Sequence, residues 1–111
     1  MEIEAIKKEE VTVFGNKDCV NCDKIKTKFD KLGVKYKYED ADYFLSNGNP
    51  VDEKVTLRAA IAFSNEEFPV AISGKLNGLG WHTREDLFTM VGERPLVCEG
   101  DRCSYEPQST N

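Results

Sequence analysis

The chain has 111 residues, of which 40% are hydrophobic, enough to bury one modest core in one domain. A formal charge of −5 argues against sequence-independent binding to nucleic-acid backbones, which depends on dense Lys and Arg. The opening MEIEAIKKEE is charged throughout and no later run approaches a membrane span, so a soluble cytoplasmic protein with no membrane partner is expected.

Residues 1–10 read as a polar lead-in, because Ile3 and Ile6 are too sparse to define a face. Val11-Thr12-Val13-Phe14 is β-branched and aromatic and is followed by the turn signal Gly15-Asn16, which predicts a buried strand. From Cys22 onward the apolar residues Cys22, Ile25, Phe29 and Leu32 fall at steps of three and four, and Gly33 can end the pattern. That is an amphipathic helix. Val34 to Tyr38 alternates as a half-wet strand does, and the turn cluster Asn47-Gly48-Asn49-Pro50 makes residues 40–52 a loop. A second helix follows, carrying Leu57, Ala60, Ile61 and Ser64 on one face. Pro69 to Ser73 forms a short apolar strand, Gly74-Lys75 can turn it, and a run from Leu76 to Gly80-Trp81 completes a hairpin. Thr83 with Asp86 three residues on predicts a capping box, opening a helix with Leu87, Phe88 and Val91 that Gly92 closes. Beyond Pro95 the chain reads as a polar tail.

The order strand, helix, strand, helix, strand, strand, helix implies an α/β fold with a mixed four-stranded sheet flanked by helices. The domain is expected over residues 11–92, with 1–10 as lead-in and 93–111 as tail.

Four cysteines in a chain of this kind point to catalysis or metal binding more than to structural disulfides. Cys19-Val20-Asn21-Cys22 stands where the first strand's loop enters the first helix. A thiol at a helix N-terminus faces unpaired N–H groups and the positive end of the helix dipole, which lower its pKa. Cys19 is thus the expected nucleophile and Cys22, one turn on and more buried, the resolving thiol. Lys17 and Lys24 favour the thiolate, whereas Asp18 and Asp23 oppose it. Two other readings stay open: a Cys-x-x-Cys can be half of a zinc site, and together with Cys98-x4-Cys103 it could supply four thiolates.

The motif in its strand-loop-helix setting resembles the glutaredoxin family over residues 11–92, nearest to NrdH-type redoxins and the glutaredoxin-like thioredoxins of bacteriophages. The Val-Asn pair between the cysteines is closer to NrdH-type redoxins than to the Pro-Tyr of ordinary glutaredoxins. The resemblance implies a thioredoxin fold and a dithiol–disulfide oxidoreductase with no bound cofactor or metal. Phe68-Pro69-Val70 matches the family's cis-proline segment, where the Phe68 backbone could pair with a substrate chain. Gly80-Trp81-His82-Thr83 matches the segment after the hairpin. Lys17 and Thr83 stand where glutathione-using members hold that peptide's carboxylates, but the paired aspartates of those members are absent. Trp81 and His82 could instead contact protein; a core or rim aromatic is an equal reading of Trp81, and a solvated surface histidine is the plainer reading of His82. By this resemblance the partners are protein disulfides, among them that of ribonucleotide reductase, and the reductant is thioredoxin reductase with NADPH or glutathione. A glutathione-dependent glutaredoxin is the second reading, a zinc-binding or adaptor module the third. The protein is expected to act as a monomer.

Cys98 and Cys103 fall outside the family core as accessory thiols. Free thiols or a local disulfide would suffice for them, but a mobile tail bearing such a pair could also exchange with Cys19–Cys22.

Overall fold

The computed structural model describes residues 10–74, 80–99 and 102–105. The lead-in before residue 10 and the run beginning at Leu76 lie outside the described residues.

Strand β1 (Val11–Gly15) runs through the middle of a four-stranded sheet in the order β2-β1-β3-β4, where β2 is Tyr36–Asp40, β3 Val70–Ser73 and β4 Trp81–His82. β1 pairs parallel with β2 and antiparallel with β3, and β3 pairs antiparallel with β4. The expected mixed sheet is therefore present. Alternation along β1 sends Val11 and Val13 to one face and Phe14 to the other, and each face is covered by helices. On the first, α1 (Val20–Leu32) and a later helix, Arg84–Val91, bury Ile25, Phe29, Leu87, Phe88 and Val91 against Val11, Val13 and Ala71. On the second, helices α2 (Ala41–Ser46) and α3 (Val51–Phe63) bury Phe44, Leu57 and Ala60 against Phe14, Val70 and Ile72. The Arg84–Val91 helix is α4. Phe14 and Phe44 meet edge to face, with ring centroids 5.1 Å apart.

The helix ends follow the residues expected for them. Gly33 and Gly92 close α1 and α4 in the left-handed region, at φ 76° and 72°. Thr83 opens α4 with a complete capping box: its Oγ1 accepts from the Asp86 N–H, and its own N–H donates to the Asp86 carboxylate.

Three local expectations are corrected. The second strand begins at Tyr36, two residues later than the alternation suggested, because the Val34 N–H is spent closing α1 on the Phe29 carbonyl at 2.9 Å. Residues 40–52 are not all loop: Asp40 caps α2 by accepting from the Tyr43 N–H at 2.9 Å, and Ala41 and Phe44, three apart, bury its one apolar face. The segment beyond Pro95 is not a featureless tail, since β5 (Leu96–Glu99) pairs antiparallel with β6 (Arg102–Tyr105) in a separate two-stranded sheet.

Candidate active site

Because β3 and β4 alternate in direction, Pro69 and Thr83 lie at the same end of the sheet as the loop that carries Cys19. The registers show this: Phe14 faces Val70, so Pro69 comes beside Gly15, while Ala71 faces His82. The loop after Gly15 rises through Asp18, whose φ of 59° is one that Asp tolerates better than most residues, and delivers Cys19 to the N-cap of α1.

Cys19 and Cys22 are joined in a disulfide, with Cα atoms 5.2 Å apart. Cys19 is half-buried, whereas Cys22 has 0% of its surface exposed. An incoming sulfur therefore meets Cys19, and Cys22 is reached only from within the molecule. The Cys19 Sγ accepts from the Cys22 backbone N–H at 3.0 Å, so the sulfur takes the place that a Ser or Asp oxygen takes in an ordinary cap. A thiolate left there on reduction would gain that donor and the dipole of a 13-residue helix. Two of the flanking charges are paired: Lys24 reaches Glu93 at 3.7 Å and Asp23 takes Lys26 at 3.3 Å. Lys17 is exposed in the preceding turn.

Two residues that the motif reading passed over complete the site. The first is Tyr38. A Cβ placed on Gly15 would stand 2.0 Å from the Tyr38 hydroxyl and 2.7 Å from the Cys22 Sγ, so phenol and buried sulfur both border the space over the bare glycine. Lys26 lies over the Tyr38 ring, 4.0 Å from its centroid. Partial burial, together with Asp23 and Asp40, pushes the Tyr38 phenol above its ordinary value of 10.0, which keeps it a proton donor through neutral pH. The second is Asn21, buried between the cysteines. Its Nδ2 donates to the Leu96 carbonyl at 2.9 Å and its Oδ1 accepts from the Leu96 N–H at 2.6 Å, which docks β5 on the motif.

The remaining expected residues fall as follows. The Phe68–Pro69 peptide bond is cis. Pro69 and Val70 are buried and Phe68 is partly so, packed against the second core. Gly80 lets two backbones close, since a Cβ there would come within 2.7 Å of the Ser73 carbonyl oxygen. Its own carbonyl accepts from the Ser73 N–H at 2.7 Å and Oγ at 2.9 Å. Trp81 is a rim aromatic stacked on exposed Phe63, with centroids 4.8 Å apart. His82 corrects the solvated reading. It is 5% exposed, and its Nε2 shares a hydrogen bond with the Ser73 Oγ at 3.0 Å. Thr83 is occupied by its capping box. Cys98 and Cys103 face each other in the β5–β6 register.

Among the described residues, no group of three or more His, Cys, Asp and Glu side chains is placed to hold a metal ion. No described helix is long and apolar enough to cross a membrane. Comparison with family models, curated proteins and solved structures finds no match.

Proposed function

We propose that the chain is a thioredoxin-fold dithiol–disulfide oxidoreductase of the glutaredoxin type that reduces protein disulfides. The observation that carries this reading is the asymmetric Cys19–Cys22 disulfide, with one sulfur accessible at a helix N-cap and the other sealed behind it. In the reduced form the Cys19 thiolate attacks a substrate disulfide, forming a mixed disulfide and releasing one substrate thiolate, which takes a proton. Cys22 then loses its proton and attacks the Cys19 sulfur. The second substrate thiolate leaves, and the Cys19–Cys22 disulfide is restored. Tyr38, beside the Cys22 sulfur, can donate to that sulfur while it is negative.

A protein substrate fits the site better than glutathione does. At the start of α4, which would receive an anionic peptide, three N–H groups already have partners: Thr83 donates to the Asp86 carboxylate, Arg84 to the Ser64 Oγ at 2.9 Å and Asp86 to the Thr83 Oγ1. Glu85 and Asp86 add negative charge to the same turn. The resemblance to NrdH-type and phage redoxins makes a ribonucleotide reductase disulfide the first substrate to try, and thioredoxin reductase with NADPH the first reductant. Two coupled assays decide the reductant, one with thioredoxin reductase and NADPH, the other with glutathione and its reductase, at matched electron supply. Faster turnover with thioredoxin reductase is expected. Faster turnover with glutathione would transfer the protein to the glutathione-dependent class, and no turnover with either would remove the reading.

A further inference from the structure

We propose that Cys98 and Cys103 form a second dithiol–disulfide pair, docked on the active-site motif by Asn21 and exchanging electrons with Cys19 and Cys22. The exchange rests on the oxidoreductase reading; the pairing does not.

The pairing follows from the backbone. In an antiparallel ladder, opposed residues alternate between pairs that exchange both main-chain hydrogen bonds and pairs whose N–H and C=O groups point away from each other. Leu96 faces Tyr105, yet its N–H and its C=O both go to Asn21, on the side away from β6. Leu96 and Tyr105 are thus a non-hydrogen-bonded pair. Val97 and Ser104 come next, so Cys98 and Cys103 are again of the non-hydrogen-bonded kind. This is the pair type with the shorter Cα separation, about 4.5 Å, which falls within the range a disulfide spans.

Proximity to the first pair comes from Asn21. It lies between Cys19 and Cys22, so the residue that holds β5 is part of the redox motif itself. Cys98 stands two residues beyond the clamp, about 7 Å along the strand. A second tie acts on the same segment, because Glu93 takes Lys24 at 3.7 Å and Lys28 at 3.2 Å, both on α1. A thiol pair tethered this close meets its partner at high effective concentration.

The exchange balances without any further reactant. The Cys19 thiolate attacks one sulfur of a Cys98–Cys103 disulfide. A bond from Cys19 to the hairpin forms, the Cys98–Cys103 bond breaks, and the freed thiolate takes a proton from water. Cys22 gives its proton to water and attacks the Cys19 sulfur, whereupon the second hairpin thiolate leaves and is protonated. Two electrons pass from the first pair to the second, and the reverse sequence returns them.

Two sets of full-length variants test the parts separately. With Cys19→Ser and Cys22→Ser combined, mild oxidation by oxidised dithiothreitol followed by non-reducing peptide mapping should find an intrachain Cys98–Cys103 disulfide; two free thiols would overturn the pairing. With Cys22→Ser combined with either Cys103→Ser or Cys98→Ser, the same oxidation should cross-link Cys19 to the remaining hairpin cysteine at a rate independent of protein concentration. Adding Asn21→Ala should slow that cross-link about tenfold, as expected when two hydrogen bonds holding the strand are lost. Failure of Cys19 to cross-link in both backgrounds would overturn the exchange, and an unchanged rate with Asn21→Ala would overturn the role of the clamp. If the unaltered protein reduces protein disulfides while no cross-link forms, the exchange alone fails. If it reduces none while Cys98–Cys103 still forms, the oxidoreductase reading fails and the exchange with it.

Discussion

Gly15→Ala probes the packing that holds the buried half of the redox pair. The glycine has no positive φ to lose, so alanine costs nothing in backbone strain. It should even stabilise the chain by about 0.4–1 kcal/mol, through the lower entropy of the unfolded state. Against this, the new Cβ would stand 2.0 Å from the Tyr38 hydroxyl, 2.8 Å from Tyr38 Cζ and 2.7 Å from the Cys22 Sγ. The Tyr38 ring is 37% exposed and can swing outward, but the Cys22 sulfur is fully buried and tied to Cys19. Overpacking of this kind costs about 1–3 kcal/mol. The clash outweighs the entropy, leaving a net loss of about 1–2 kcal/mol, or roughly 4–8 °C in Tm for a domain of this size. Thermal unfolding of the oxidised protein followed by circular dichroism measures the loss. A double-mutant cycle with Tyr38→Phe, which removes the nearest atom, should recover part of it. A Tm that stays level or rises in Gly15→Ala would refute the assignment of that space to Tyr38 and Cys22.

Other outcomes follow from the same contacts. Thr83→Ala removes the Oγ1 that accepts from Asp86 and should cost about 1 kcal/mol, with Thr83→Ser close to the parent; equal melting of all three would show that the capping box contributes nothing. Glu93 has its pKa lowered, chiefly by a hydrogen bond from Lys28, with the charge of Lys24 adding to it. A lowered carboxylate stabilises above its ordinary value and loses that stabilisation as the pH falls through the folded one. The protection factor of the Leu96 amide, its exchange rate divided into the intrinsic rate at the same pH, should therefore fall across that acid window in the parent and not in Glu93→Gln; identical protection profiles would remove Glu93 from the docking of β5.

The legible parts of this molecule were those whose signals are local. The three-and-four spacing from Cys22 to Leu32, the glycines at 33 and 92 and the Thr83–Asp86 box each state a hydrogen-bonding need that neighbouring residues meet. Helix α2 also carried such a signal, in Asp40 with Ala41 and Phe44, but the Asn47–Pro50 turn cluster masked a helix of 6 residues. What the sequence could not display was partnership over distance. Asn21 reads as a spacer within the motif until Leu96, 75 positions on, is found in its amide. Tyr38 reads as one more residue on the apolar side of an alternating strand until Gly15 leaves the gap that its hydroxyl enters. His82 reads as solvated because a lone polar residue in a two-residue strand gives no sign that the Ser73 hydroxyl waits beside it.

The central claim is that Cys19 attacks and Cys22 resolves. Its most direct test mixes reduced Cys22→Ser protein with a protein disulfide and locates the resulting mixed disulfide by mass spectrometry of peptides. The asymmetry of the site predicts a stable adduct on Cys19, no turnover, and in the unaltered protein a Cys19–Cys22 disulfide formed in step with the substrate's two thiols. An adduct on Cys22 in a Cys19→Ser protein that still turns over, or no adduct on Cys19 at all, would contradict it.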